Sequence, residues 1–153
     1  IFDQIAESKN LEVKNARRRE NIHKHIDKYV TGENDKRVET WSVDIKARKK
    51  TSRSDSSVQD EWIWIEFQNV RGNLGWLYGE ADNIAFETQD SFVIVDRKSL
   101  IDYVENAVDM AKPVRKSYLA KYKTYQRAGR NDLLTMVELS KIIENCNHFV
   151  WQK

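Results

Sequence analysis

The run EWIWIEFQNV, residues 61–70, constrains this chain more than any other stretch. Ile63, Ile65 and Phe67 alternate with Trp62, Trp64, Glu66 and Gln68. A period of two in β-branched and aromatic residues specifies a strand whose apolar face must be covered. A second alternation lies upstream, where Trp41, Val43, Ile45 and Ala47 interleave with Ser42, Asp44, Lys46 and Arg48. Between the two, KKTSRSDSSVQDE holds no large apolar residue except Val58 and reads as a long hairpin connection. The expectation is an antiparallel pair with Asp44 on one strand and Glu66 and Gln68 on the next.

Around this pair the pattern switches period. Residues 1–30 lack Gly and Pro and place Ile22, Ile26, Tyr29 and Val30 at helical spacing, with Gly32 as the stop and GENDK as the turn after it. Glycines 72, 75 and 79 in RGNLGWLYG mark a tight loop or a close backbone approach beside the second strand. NIAFE and SFVIVD read as strands, and SLIDYVENAVDMAK as a helix ended or offset by Pro113. DLLTMVEL reads as a strand, and SKIIENCNHFVWQK as a helix capped near Ser140. The sum is an α/β chain with a mixed central sheet flanked by helices. At 153 residues it is expected to form a single domain, with a core over about 15–105 and a basic extension over about 112–153.

Composition removes several classes. One cysteine, Cys146, forms no internal disulfide, and the chain lacks four ligands for structural zinc, which suggests an intracellular protein. No run reaches the roughly 20 apolar residues of a membrane helix, and IFDQIAESKN has no signal-peptide core. There is neither GxxxxGK[ST] nor GxGxxG, so nucleotide binding has little support. Asp60 and Asp82 read as turn residues, and His23, His25 and His148 as surface or core histidines.

If the two strands pair, Asp44 and Glu66 face each other at roughly 5 Å. Two such carboxylates repel and suit a hard cation, and magnesium usually takes one or two carboxylates. Asp44, 21 intervening residues, then Glu66, Phe67 and Gln68 resemble the D…(D/E)xK signature of the PD-(D/E)xK nucleases. Val43 replaces the motif's Pro and Gln68 its Lys. The resemblance covers residues 15–105 and implies a restriction-endonuclease-like fold and a metal-dependent DNA endonuclease. It implies Mg2+, replaceable by Mn2+, held by Asp44, Glu66 and the carbonyl of Phe67, with Gln68 orienting the attacking water. Glu20, or else Glu12, would be the helix carboxylate. Lys46, two residues from Asp44 on the same face, could restore the missing positive charge. The loop ending GWLYGEAD and the strands after it also look like sequence in phage and archaeal members.

Two basic segments supply DNA-contacting candidates, duplex or branched. KARKKTSR carries five cations in eight residues, and Lys112 to Arg130 seven in nineteen. The expected contacts are Arg48, Lys49, Lys50, Arg53, Arg71, Gln126, Arg127 and Arg130. Cutting both strands would call for a homodimer. The alternatives are a nuclease-like module that binds nucleic acid without turnover, and a structural or partner-binding protein.

Overall fold

The computed structural model describes residues 1–33 and 37–153, so most of the GENDK turn lies outside the described residues. The elements run α1 (Phe2–Ser8), β1 (Glu12–Asn15), α2 (Arg18–Lys24), β2 (Lys28–Glu33), β3 (Val38–Lys46), β4 (Trp62–Gln68), β5 (Asn83–Glu87) and β6 (Ser91–Asp96). They continue through α3 (Arg97–Ala107), β7 (Asp109–Val114), β8 (Lys123–Tyr125), β9 (Leu133–Glu138), α4 (Leu139–Asn145) and β10 (His148–Gln152). The α/β class holds, with two mixed sheets in place of the expected single central one. The chain divides into two compact units, the first comprising Ile1–Ala47, Gly79–Arg97 and His148–Lys153, the second Arg48–Tyr78 and Lys98–Asn147. No helix among the described residues is long and apolar enough to cross a membrane.

The first unit holds a six-stranded sheet in the order β1-β2-β3-β5-β6-β10. Only β3 and β5 run parallel within it, which requires a long crossover between them. The alternation read in β3 is realised: Val43, with Trp41 and Ile45, faces the core formed by Val30, Ala85, Phe92, Ile94 and Trp151. Helix α1 covers this face with Phe2 and Ala6, and Phe2 packs edge-on against Phe92 at 5.4 Å and, with the rings tilted by 35°, against Trp151 at 5.1 Å. Residues 26–30 are not helical. Helix α2 ends at Lys24, His25 takes a left-handed conformation at φ 55°, and Tyr29 and Val30 belong to β2, as does Gly32. The sheet offers Val30 a fully buried place, and that burial outweighs a weak local helical pattern.

The second unit holds a four-stranded sheet in the order β4-β9-β8-β7. Its apolar row includes Ile65 and Phe67, both buried, while α3 buries Leu100 and Val104 and α4 buries Leu139 and Ile142. Pro113 lies in β7, an edge strand, where a missing N–H is tolerated. The terminal segment is shorter in helix than expected, because α4 stops at Asn145 and β10 pairs with β6. Thus residues 112–153 supply strands to both sheets.

The anticipated pairing of β3 with β4 does not form. Strand β3 pairs with β2 and β5, and β4 pairs with β9. The hairpin survives only at its neck, as a bridge between Lys49 and Gln59 beside the Arg48–Asp60 ion pair. Gly75 meets the expectation for its loop: a Cβ there would lie 2.4 Å from the Glu66 carbonyl oxygen. Gly75→Ala is therefore expected to cost about 2 kcal/mol in urea unfolding by forcing backbone apart. Gly72→Ala, with φ +82° but open space around it, should cost about 1 kcal/mol. Equal stability of the two variants would contradict this account.

Candidate functional site

Because Lys28 lies opposite Val43, the register of β2 and β3 carries Asp27 alongside Asp44. The Asp27 N–H donates to the Val43 carbonyl at 2.8 Å. The Asp27 carboxylate accepts from the Ile45 N–H at 2.7 Å and from Asn21 Nδ2 at 2.6 Å. Asp44 points to the sheet face away from α1 and is only 4% exposed. Its Oδ1 meets Lys46 Nζ at 3.2 Å, whereas its Oδ2 is buried with no N–H or hydroxyl donor on it. Burial drives the Asp44 carboxyl up to about 7; Lys46 opposes the rise, and Asp27 adds to it.

The same face continues toward β1. Tyr29 lies opposite Ser42 and Lys14 opposite Tyr29, so Lys14, Tyr29, Ser42 and Asp44 share it. The Tyr29 hydroxyl donates to Glu20 Oε2, and Glu20 Oε1 accepts from the Arg17 N–H at 3.1 Å. These bonds hold the Glu20 carboxyl below its ordinary range, the tyrosine bond chiefly. Asp82 Oδ2 accepts from the Ser42 N–H, and the Asp82 N–H donates to Ser42 Oγ, both at 2.9 Å. This reciprocal pair ties the start of β5 to β3, so Asp82 is a turn residue, as read. A cleft of about 940 Å3 opens in the first unit, lined in part by Lys14, Arg17, Arg19, Glu20, Lys24 and Tyr29. Glu12 also lines it, on the exposed edge strand β1.

Glu66 and Gln68 belong to the second unit. They flank a β-bulge, since Glu66 lies opposite Leu134 and Gln68 opposite Leu133, leaving Phe67 as the extra residue. Glu66 Oε1 accepts from the Trp76 N–H at 3.3 Å. Gln68 Nε2 donates to the Asn131 carbonyl at 2.5 Å. The Phe67 carbonyl, expected to be a metal ligand, accepts from the Gly75 N–H at 2.8 Å. Among the described residues, no group of three or more His, Cys, Asp and Glu side chains converges as a ready metal cage. Asp44 and Glu66 are consequently not a cross-strand pair, because their strands join different sheets.

Comparison with protein-family models, with curated proteins and with solved structures gives no match at a significant level.

The DNA-contact candidates fall into two kinds. Arg48 Nε is held by Asp60 at 2.6 Å, and Arg127 by Asp132 at 2.6 Å, with Asp132 4% exposed. Gln126 Nε2 reaches the Asn131 carbonyl at 3.5 Å. Lys49, Lys50, Arg53, Arg71 and Arg130 remain exposed. Asp27 was missed because residues 22–30 read as a helix, which hides its place opposite Asp44; reading Lys28–Val30 as a strand would have exposed it.

Two measurements check these assignments. The Asp44 carboxyl lies at about 7 in the fold and near 3.8 without it, so the folded protein keeps a proton that the unfolded chain releases in between. Stability thus falls as pH rises through that window, and the penalty is complete above it. In chelator, Asp44→Asn should gain on the wild type between about pH 4 and pH 8, by at most about 4 kcal/mol. Parallel stability curves would refute the burial argument. Arg127→Ala strands the buried Asp132 carboxylate and should cost about 2–3 kcal/mol in chemical unfolding. A variant as stable as wild type but weak in DNA binding would return Arg127 to the binding surface.

Proposed function

We propose that this chain is a metal-dependent DNA endonuclease of the restriction-endonuclease-like type, a phosphodiester hydrolase centred on Asp44. The observation that carries the reading is the buried Asp44 Oδ2, which no N–H or hydroxyl donor reaches, on a carboxyl set against a second carboxylate, Asp27. A buried acceptor left unpaired costs free energy, and a hard cation relieves both that cost and the repulsion between the acids. Two carboxylate oxygens suit Mg2+, which keeps its remaining positions for water and phosphate, and Mn2+ would substitute. Asp44 and Asp27 would hold the ion. The ion would supply charge neutralisation at the phosphate and a more acidic water.

The protein's own groups do the rest. Lys46, 3.2 Å from Asp44, keeps a cation at the mouth of the acidic pair, where an approaching phosphate needs one. Its position on the same strand face offsets the lysine missing from the D…ExQ motif. Asn21 and the Ile45 N–H fix the Asp27 carboxylate in orientation. Tyr29 and Arg17 fix Glu20, keeping the helix carboxylate ionised. Glu66 and Gln68 enter through the sequence motif and are tested separately.

One observation favours a second reading, a nuclease-like module that binds nucleic acid without cutting it. The Gln68 amide is committed to the Asn131 carbonyl and so is engaged in structure.

Incubation of supercoiled plasmid and branched DNA with Mg2+, Mn2+ or chelator decides between them. The wild type should cut only with metal, and Asp44→Ala and Asp27→Ala should each lower the rate by about 100-fold or more. Lys46→Ala should lower it by about tenfold or more. Loss of cutting in Glu66→Ala and Gln68→Ala at unchanged stability would give these two residues the role that the D…ExQ motif implies. Absence of cutting by the wild type with either metal would remove the endonuclease reading.

A further inference from the structure

The basic segments that stand out in the sequence are not where the first unit concentrates its cations. Its cleft gathers Lys14 from β1 and Arg17, Arg19 and Lys24 from the start and body of α2. All four side chains are exposed. None of the four lies within ion-pair distance of a carboxylate among the described residues; Arg48 and Arg127, by contrast, are neutralised by Asp60 and Asp132. Glu20, the half-buried acid in the same cleft, is held by Tyr29 and by backbone, with Lys24 and Arg17 near enough to favour its charged form. Lys14, Arg17, Arg19 and Lys24 against Glu12, Glu20 and Glu80 leave the lining of the concavity a net charge of +1, with the cations free of ion pairs among the described residues, and a polyanion is favoured along them.

The shape narrows the class. The cleft is open and about 940 Å3, larger than a single phosphate requires, and its cations come from two elements along its length. Threonines 31 and 40, whose hydroxyls lie 2.9 Å apart, add neutral donors to its floor. A row of cations with hydroxyl donors and no enclosed apolar pocket matches successive phosphates of a nucleic-acid backbone. The floor of the cleft is also the face that carries Asp44, since Lys14, Tyr29 and Ser42 lie across from one another and Asp44 follows two residues on.

We propose that the α2–β1 cleft is a binding site for the phosphodiester backbone of a nucleic-acid strand, contacted by Lys14, Arg17, Arg19 and Lys24. The strand's direction toward Asp44 rests on the proposed nuclease reading; the binding itself does not. Sequence reasoning passed over these residues because RRR and its neighbours look like an ordinary solvated helix face. Only the fold of β1 against β2 sets Lys14 opposite Tyr29 and lets the helix cations and Lys14 line one concavity.

The test is equilibrium binding of a short labelled single strand, and of the duplex of the same sequence, by the full chain in chelator across a range of salt. Chelator removes cleavage from the readout, so failure here is distinct from failure of the nuclease reading. The double variant Lys14→Ala/Arg19→Ala should bind at least one of the two probes about tenfold more weakly, with a salt slope shallower by about two for duplex or somewhat less for single strand. Lys9→Ala/Lys98→Ala, which removes two exposed cations outside the cleft and outside the segments named for DNA contact, should bind within about twofold of wild type. Circular dichroism and unfolding midpoints equal to wild type establish that each variant is folded. An unchanged affinity and slope in the cleft variant, a larger loss in the Lys9/Lys98 variant, or no binding by the wild type would each overturn the proposal.

Discussion

The register of β2 against β3 brings two carboxylates, Asp27 and Asp44, to adjacent positions, one of them almost wholly out of water. Such an arrangement is unfavourable by itself: burial and like charge both penalise the ionised state. The chain offsets it with Lys46 on one oxygen of Asp44 and with two donors on Asp27, and leaves the other Asp44 oxygen unmatched. That register is held from the opposite face, where Val30, Val43 and Trp151 sit in the core under α1. A slip by one residue would send Asp44 into that core and Val43 out of it. The stability of the aromatic core and the placement of the acids are therefore one constraint.

In the second unit the controlling feature is close backbone approach. Gly75 lies against Glu66, and its N–H takes the Phe67 carbonyl where the bulge interrupts the ladder to β9. Bulges re-aim side chains, and this one fixes Glu66 toward the Trp76 N–H and Gln68 toward Asn131. Arg127 and Asp132 belong to the same economy of buried charge: each depends on the other, which makes Arg127 a structural cation.

How much of this was legible in the sequence follows from physical range. Strands β3 to β6 were readable because their alternation or apolar runs express burial within a few residues, and Gly75 because close approach admits no Cβ. The Lys46–Asp44 contact was readable because residues two apart on a strand share a face. The pairing of β3 and β4 was not, since strand partners are chosen by nonlocal burial; β3 joins β5 across 36 residues of intervening chain, from Ala47 through Asp82. Tyr29 and Val30 show the converse, a chance helical spacing overruled by a place in the sheet. Asp27 and the α2–β1 cleft were invisible for that same reason, because both depend on β2 being a strand.

The central claim is that Asp44 and Asp27 together form a site for a hard divalent cation, and the most direct measurement is Mn2+ binding followed by electron paramagnetic resonance. The account predicts that the wild type removes free Mn2+ from solution at neutral pH, that Mg2+ competes for the same site, and that both Asp44→Asn and Asp27→Asn abolish the binding while the fold persists. Undiminished free Mn2+ with the wild type, or binding by either variant equal to that of the wild type, would contradict it.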